Sequence, residues 1–353
     1  MPLNKLNIRY MTRKMDNNGF SLAEALVIIV IIGVVGVVGW KVYSNGNKKK
    51  PSSNFISTQS HPKTSSVVQN AQSWTRLSGI IMPGITSTDT HVISPGHYRM
   101  YYLNGPSGLV YATSTDGRTW SSPQSIGLQP DPGKVISNPS ALQLANGSWI
   151  MLYEQAPATQ SGPNGPPAFG PNNQHNLYLA TSTNGTTFNS AGLAIDSSIS
   201  DGYFASVPNM ILLPNGNIRV YYVSGGQNIA SAMSTDNGKI WTREKGYRIA
   251  GGDPDVFYNN GKWVMYYTNL NPSENGLQEA ISTDGLHWTS LKGNVVQKTG
   301  SNYAIVDPDV FQLSSSKWIM NFNESPLPQN GQPSSPNQGG LQQAVYNGNI
   351  FNQ

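Results

Sequence analysis

The chain has 353 residues, with 22 Lys/Arg against 18 Asp/Glu and no cysteine, which excludes disulfides, thiolate metal sites and cysteine nucleophiles. Only 11% of residues are charged, while 36 Gly, 24 Pro, 17 Tyr and 8 Trp favour a turn-rich all-β protein over a helical one. The formal charge of +4 is concentrated at the start: residues 1–66 hold nine Lys/Arg against Asp16 and Glu24, leaving thirteen against sixteen for residues 67–353. The main domain is therefore mildly acidic and lacks the basic patch that nucleic-acid binding needs.

Lys5, Arg9, Arg13 and Lys14 precede Gly19-Phe20-Ser21-Leu22-Ala23-Glu24, and an almost purely apolar run then extends from Ala25 to Trp40. Residues 20–44 are predicted to form one transmembrane α-helix, because about 20 apolar residues span a bilayer. Glu24 is an expensive carboxylate in such a segment, which marks a functional group. Helix-stopping residues from Ser44 to Pro51 follow, and residues 45–66 read as a flexible polar linker.

This N-terminus resembles a type IV prepilin signal. The resemblance implies a leader over residues 1–19, cleavage after Gly19 by a prepilin peptidase, N-methylation of Phe20, and an assembly role for Glu24 toward the terminal amine of a neighbouring pilin-like subunit. Pilins usually continue the helix into a long amphipathic half, which the stop at Ser44 denies. The expectation is a single-pass membrane tether with its C-terminal domain outside the cytoplasm. That orientation rests on the resemblance, because Lys48-Lys49-Lys50 offsets the basic leader.

Residues 67–353 form the main domain, and from residue 79 onward the chain repeats one pattern. Asp253-Pro254-Asp255-Val256-Phe257 is followed, across an Asn260-Gly261 turn, by Trp263-Val264-Met265-Tyr266-Tyr267. Related pairs begin at Asn138-Pro139, Val207-Pro208 and Asp307-Pro308, and an eroded one at Thr88-Asp89. Each reads as a β-hairpin. A second half follows each hairpin: Asp116-Gly117-Arg118-Thr119-Trp120, Asn184-Gly185-Thr186-Thr187-Phe188, Asp236-Asn237-Gly238-Lys239-Ile240-Trp241, Asp284-Gly285-Leu286-His287-Trp288, and a degenerate version near Asn347-Gly348. Recurrence in every unit marks these as structural turns. Four strands per unit and five units predict an all-β, five-bladed propeller. Trp74-Thr75-Arg76 matches the strand after the turn at Trp241 and Trp288 without a hairpin before it, so residues 73–79 are expected to complete the last blade and close the ring.

If the strands of a blade are A to D from the channel outward, the Asp-Pro-Asp segments open on the same face as the B–C loops. Two of these loops, residues 155–175 and 324–340, are long, and make that face the expected binding rim. Asp253, Asp307, Glu154 and Glu324 are the candidate catalytic carboxylates. Asp255, Asp309, Asn138, Asn209 and Asp89 are candidate substrate-binding residues, with Asp253 and Asp255 expected on one face because they are two residues apart on a strand. Thr88 is aligned with the pre-proline position and Asp89 with the proline. Glu279 on a strand C is a further rim acid. His91, His97 and His175 lack metal-ligand spacing and read as surface or rim residues; no metal site or cofactor is expected.

The repeat region resembles the arabinanase/levansucrase/invertase superfamily of five-bladed glycosidases. That resemblance implies carboxylates from several blades around the channel, one as acid and one as base or nucleophile. The pre-proline positions of blades 2 and 3 carry Asn138 and Val207 instead, so a membrane-tethered, carbohydrate-binding propeller is the leading expectation. An active glycoside hydrolase, or a minor pilin or pseudopilin of an envelope machine, are the alternatives. A sialidase reading, prompted by the spacing from Ser234 to Trp241, fails on five units where six are needed.

Overall fold

The structure, a computed structural model, describes residues 69–158, 172–198, 200–270, 276–327 and 339–352. The predicted leader, membrane helix and linker, with Gly19, Phe20 and Glu24, lie outside the described residues. Among the described residues no helix is long and apolar enough to cross a membrane.

The described residues form five antiparallel sheets, one per sequence repeat. The chain begins with β1 (Thr75–Arg76) and β2 (Met82–Pro83). Blade 1 is β3 (Thr86–Ser94), β4 (His97–Leu103), β5 (Leu109–Ser114) and β6 (Gln124–Ser125). Blade 2 is β7 (Lys134–Gln143), β8 (Trp149–Pro157), β9 (Asn176–Ser182) and β10 (Asn189–Ile195). Blade 3 is β11 (Ala205–Leu212), β12 (Ile218–Ser224) and β13 (Asn228–Ser234), edged by β14 (Thr242–Arg243) and β15 (Ile249–Ala250). Blade 4 is β16 (Gly252–Asn259), β17 (Lys262–Thr268) and β18 (Gly276–Ser282), edged by β19 (Thr289–Ser290) and β20 (Val296–Gln297). Blade 5 is β21 (Tyr303–Ser314), β22 (Lys317–Pro326) and β23 (Gly340–Asn347), and its outer edge is supplied by β1 and β2 from the other end of the chain.

The ring therefore closes as the repeat pattern predicts. Thr75 and Arg76 pair with Val345 and Ala344, and Ser290 pairs with Ala280 in blade 4 in the same way. Arg76 donates to Glu324 at 2.8 Å and its guanidinium lies 4.8 Å from the Phe322 ring centroid. Upstream of β1, the Gln72 N–H donates to Glu279 at 2.7 Å and Trp74 packs edge-on against Tyr266. One short segment thus joins blades 4 and 5. Burying an unpaired sheet edge in this way removes a template for aggregation.

Second strands such as β12 are buried along their whole length, because each blade is covered on both faces by its neighbours. That explains apolar runs such as Val264-Met265-Tyr266-Tyr267, which do not alternate as a half-exposed strand would. Core clusters accordingly span blade boundaries; Leu152 and Leu179 of blade 2, for example, pack with Val220 and Tyr222 of blade 3.

The Asp-Gly turns between third and fourth strands are locks between blades. Asp116 accepts the N–H groups of Arg118 and Thr119 at 2.8 and 2.7 Å, which curls the turn. Its carbonyl at Gly117 then accepts Gln343 of blade 5 at 2.7 Å. Tyr221 of blade 3 likewise donates to the Gly285 carbonyl of blade 4 at 2.8 Å. A Cβ at Gly117, held at φ +71°, would come within 2.8 Å of Phe311, so glycine serves both the turn and the close approach.

Candidate functional site

The first strand of every blade enters the channel through a β-bulge. Register skips by one residue between Gly252 and Asp255, and in the same way at Thr86/Asp89, Ser137/Ser140, Ser206/Asn209 and Val306/Asp309. At each skip one residue takes the left-handed conformation: Ser87 (φ 56°), Asn138 (50°), Val207 (46°), Asp253 (49°) and Asp307 (55°). Five non-glycine residues at positive φ, one per blade, form a ring of local strain that the surrounding sheets impose. Blade 1 corrects the sequence alignment. Ser87, not Thr88, occupies the pre-proline position, and Asp89 corresponds to Asp255; no proline at residue 88 existed to anchor the register.

Two residues beyond each of these positions is a second ring: Asp89, Ser140, Asn209, Asp255 and Asp309. Each side chain accepts a backbone N–H from the next blade. Asp89 takes Ala141 (2.7 Å), Ser140 takes Met210 (3.0 Å), Asn209 takes Val256 (3.0 Å), Asp255 takes Val310 (2.6 Å) and Asp309 takes Thr90 (2.9 Å). These five bonds run once around the channel. Asp255 and Asp309, read from sequence as binding residues, thus hold neighbouring blades together. Asp253 and Asp255 both line the channel, but the bulge between them replaces plain strand alternation and sends them to different partners.

The rings enclose a polar cavity of about 30 Å³, lined by Ser87–Asp89, Asn138–Pro139, Val207–Asn209, Asp253–Asp255 and Asp307–Asp309. That is room for about one water. Asp253 and Asp307 lie side by side in adjacent blades. Thr268 donates to Asp253 at 2.6 Å, and the Asp307 and Ser87 N–H groups make long contacts to Asp253 and Asp307. Burial raises the pKa of both, and Asp253 beside it helps push Asp307 up to about 8. At neutral pH this pair keeps a proton. Burial also pushes Asp255 well above the usual carboxylate range, with Asp309 adding to the effect, and raises Asp309 itself.

Glu154 has the opposite balance. It ends the second strand of blade 2 and is buried. Burial opposes its ionisation, but the His175 imidazole and bonds from Ser206 and Asn138 outweigh it and hold its pKa below normal. Oε2 accepts Ser206 at 2.5 Å, Ser137 at 3.3 Å and the Asn138 amide; Oε1 faces His175 Nδ1. Ser87 donates to Asn138 at 2.5 Å. A chain of contacts therefore runs from Asp307 through Ser87 and Asn138 to Glu154.

Glu324 is not part of this group. The residue of blade 5 that corresponds to Glu154 is Asn323, and one residue further along a strand points to the other face. Glu324 instead meets Arg76, Gln342 and the Thr299 N–H in the closing seam. Glu279 lies under Gln72 beside Tyr266, away from the mouth. Asn323 is buried near Asp307, and its amide completes no hydrogen bond of good geometry. Asn138 is within the site through Glu154, and Asn209 belongs to the stapling ring.

His91 departs from the surface or rim reading. His91 packs edge-on against Trp149 and Tyr101 and bonds Asp89 at 2.9 Å. His175 sits at the start of β9, opposite the end of β8, which is the signal that could have paired it with Glu154. Among the described residues no cluster of His, Asp and Glu could hold a metal ion.

No protein-family profile and no curated protein matches this sequence. Solved structures share its fold. Zg3597, a family 117 glycoside hydrolase from Zobellia galactanivorans, superposes with a TM-score of 0.57 at 16% identity, covering 80% of this chain and 92% of that one. A glycoside hydrolase (TM-score 0.56, 15% identity, covering 79% and 92%) and a thermostable family-43 glycoside hydrolase (0.54, 14%, 75% and 89%) are also similar. These similarities establish the five-bladed propeller.

Proposed function

We propose that the propeller is a glycoside hydrolase acting on a carbohydrate seated at the channel mouth. The observation that supports it best is the divergence of carboxyl groups at one end of one channel: the Asp253–Asp307 pair retains a proton while Glu154 is ionised. Environments that push pKa values apart create an acid and a base from like groups. In this reading Asp307 protonates the leaving oxygen, Asp253 keeps that proton in place, and the Glu154 group serves the basic half. The similarity to glycoside hydrolases noted above adds weight at the level of fold.

The experiment is a panel of aryl-glycosides and oligosaccharides assayed with the full chain and with Asp307→Asn and Asp253→Asn. Turnover abolished by Asp307→Asn supports hydrolysis. Binding without turnover by the wild-type chain supports a carbohydrate-binding propeller instead, a reading favoured by the number of donors already bound to Glu154.

We propose further that the domain is tethered outside the cytoplasm by its prepilin-like N-terminus. The Gly19-Phe20 junction, Glu24 and the apolar run that follows support this reading. Mass spectrometry of the membrane-bound protein, expressed with a prepilin peptidase, would detect N-methylated Phe20; a chain that still begins at Met1 would sink the idea.

A further inference from the structure

The second strand of each blade ends opposite the residue that precedes the bulge. Leu103 pairs with Thr86, Glu154 with Ser137, Val223 with Ser206, Thr268 with Gly252 and Asn323 with Val306. These five positions form a third ring, each beside the strained residue of its own blade. In blades 2 and 4 the two polar partners meet: the Asn138 amide donates to Glu154, and Thr268 Oγ1 donates to Asp253 at 2.6 Å. In blade 3 the strained residue is Val207, and its counterpart Val223 is apolar too. Blade 5 departs from the pattern. Asn323 lies near Asp307, yet neither its amide oxygen nor its nitrogen completes a hydrogen bond.

The two aspartates of the channel pair are therefore supplied unequally. Asp253 Oδ2 receives the Thr268 hydroxyl at 2.6 Å and faces the Asp307 N–H at 3.5 Å. Among the described residues, Asp307 has the long Ser87 N–H contact at 3.4 Å as its one backbone donor and no side-chain hydrogen bond of good geometry. A hydroxyl at 2.6 Å is at the distance found when an O–H donates to a carboxylate. A donor aimed at one member of a like-charged pair favours the anion on that member and leaves the proton to the other.

We infer that Thr268 is a positioning residue: by donating to Asp253 it keeps that carboxyl as the anion of the pair, and so leaves the proton on Asp307. The kinetic consequence rests on the hydrolase reading, in which Asp307 gives that proton to the leaving oxygen as the glycosidic C–O bond breaks. The pair is then doubly ionised. The water that adds to the anomeric carbon gives up one proton in the same turnover, and uptake of one from solvent restores Asp307. Thr268 acts only through Asp253. Asn323 completes the asymmetry by withholding a donor, since a full bond from its amide would favour the anion at Asp307 instead.

The test joins carbon-13 NMR of the aspartate carboxyls to kinetics, on the full chain as wild type, Thr268→Val and Thr268→Ser. Valine keeps the shape and removes the hydroxyl, serine keeps the donor, and Asp253→Asn and Asp307→Asn identify the two signals. At neutral pH the wild-type chain should show Asp253 ionised and Asp307 protonated. Loss of a hydrogen bond to a charged group should move the first ionisation of the pair up by about one pH unit in Thr268→Val and shift part of the proton to Asp253; Thr268→Ser should restore the wild-type curves. On a substrate with a poor leaving group, Thr268→Val is expected to lower kcat about tenfold with KM within a few-fold, and Thr268→Ser to recover most of it. Should valine prevent folding, Thr268→Ala removes the same donor. Two results overturn the inference: a wild-type chain with its proton on Asp253, or a Thr268→Val chain whose carboxyl titrations coincide with wild type. A wild-type chain that turns over no glycoside overturns the hydrolase reading, while the carboxyl titrations still decide for or against Thr268.

Discussion

Asp284 and Asp307 belong to opposite ends of the same propeller and are held in opposite charge states. Asp284 lies on an exposed turn and accepts the N–H groups of Leu286 and His287, each at 2.8 Å, and the His287 ring at 2.7 Å. Those donors stabilise the anion and push its pKa down. Asp116 and Asp236 behave in the same way. Asp307 is buried at the channel, with Asp253 beside it and few good donors, and its pKa rises to about 8. Residue type is common to both ends; hydration and the number of aligned donors decide the charge. Aspartates at the turns are fasteners, and those of the inner pre-proline ring store a proton.

The largest effect should come from Asp307→Asn, which keeps the shape and removes the proton. Loss of 10²- to 10⁴-fold in kcat on a substrate with a poor leaving group is expected, with much less loss on an activated aryl-glycoside. The same variant tests the charge state through stability. A carboxyl whose pKa is raised by folding binds more protons in the native state, so its contribution falls as pH rises from about 4, the unfolded value, toward about 8. Melting of the wild-type chain at pH 5 and pH 8 should show this decline, and Asp307→Asn should flatten it. An unchanged slope would mean that Asp307 is ionised in the native state.

Asp309→Ala tests the stapling ring. It removes bonds from the Thr90 N–H, the Thr90 hydroxyl (2.6 Å) and Asn321 (3.0 Å), and leaves buried donors unpaired. A cost of about 1–3 kcal/mol is expected in denaturant unfolding, with catalysis affected only through stability. Val207 is the one β-branched residue of the strained ring, at φ 46°. Val207→Gly should relieve that strain and raise stability by about 1 kcal/mol; a loss would show that its side-chain packing outweighs the backbone cost. The smallest effect belongs to the fasteners. Asp116→Ala should cost about 1 kcal/mol at neutral pH, and the difference from wild type should shrink as pH falls, because the wild-type carboxylate is protonated there. Equal sensitivity of Asp116 and Asp309 would break the distinction between the two ends.

The five-bladed fold was legible because it is written five times. Asn-Gly hairpins, Asp-Gly turns and paired apolar runs are local signals, and their repetition makes each reading support the others. Closure by β1 was also legible, since Trp74-Thr75-Arg76 is an orphaned half of the same repeat. The site was read less completely. Asp253, Asp307 and Glu154 are linked at one end of the channel, whereas Glu324, grouped with them by counting to the end of a strand, meets Arg76 in the closing seam because a difference of one residue reverses the face. His175 escaped because its partner lies 21 residues earlier, across a loop. His91 was hidden because the Trp149 ring it packs against belongs to the next blade, and Phe257 and Phe311 stand at the corresponding positions of blades 4 and 5.

By itself the sequence determined the blade count, the strand order within each blade, the turns and the strand that closes the ring, because these depend on contacts between near neighbours and on periodicity. It also carries the apolar run and the Gly19–Glu24 motif on which the tether reading rests. Only the tertiary structure decided which carboxyl groups keep their protons. Ionisation depends on burial, on a like charge in the adjacent blade and on donors brought from distant parts of the chain. The bulge at each pre-proline residue is likewise a property of the ring: five strained residues are held at positive φ because each neighbouring blade supplies the bonds that keep them there.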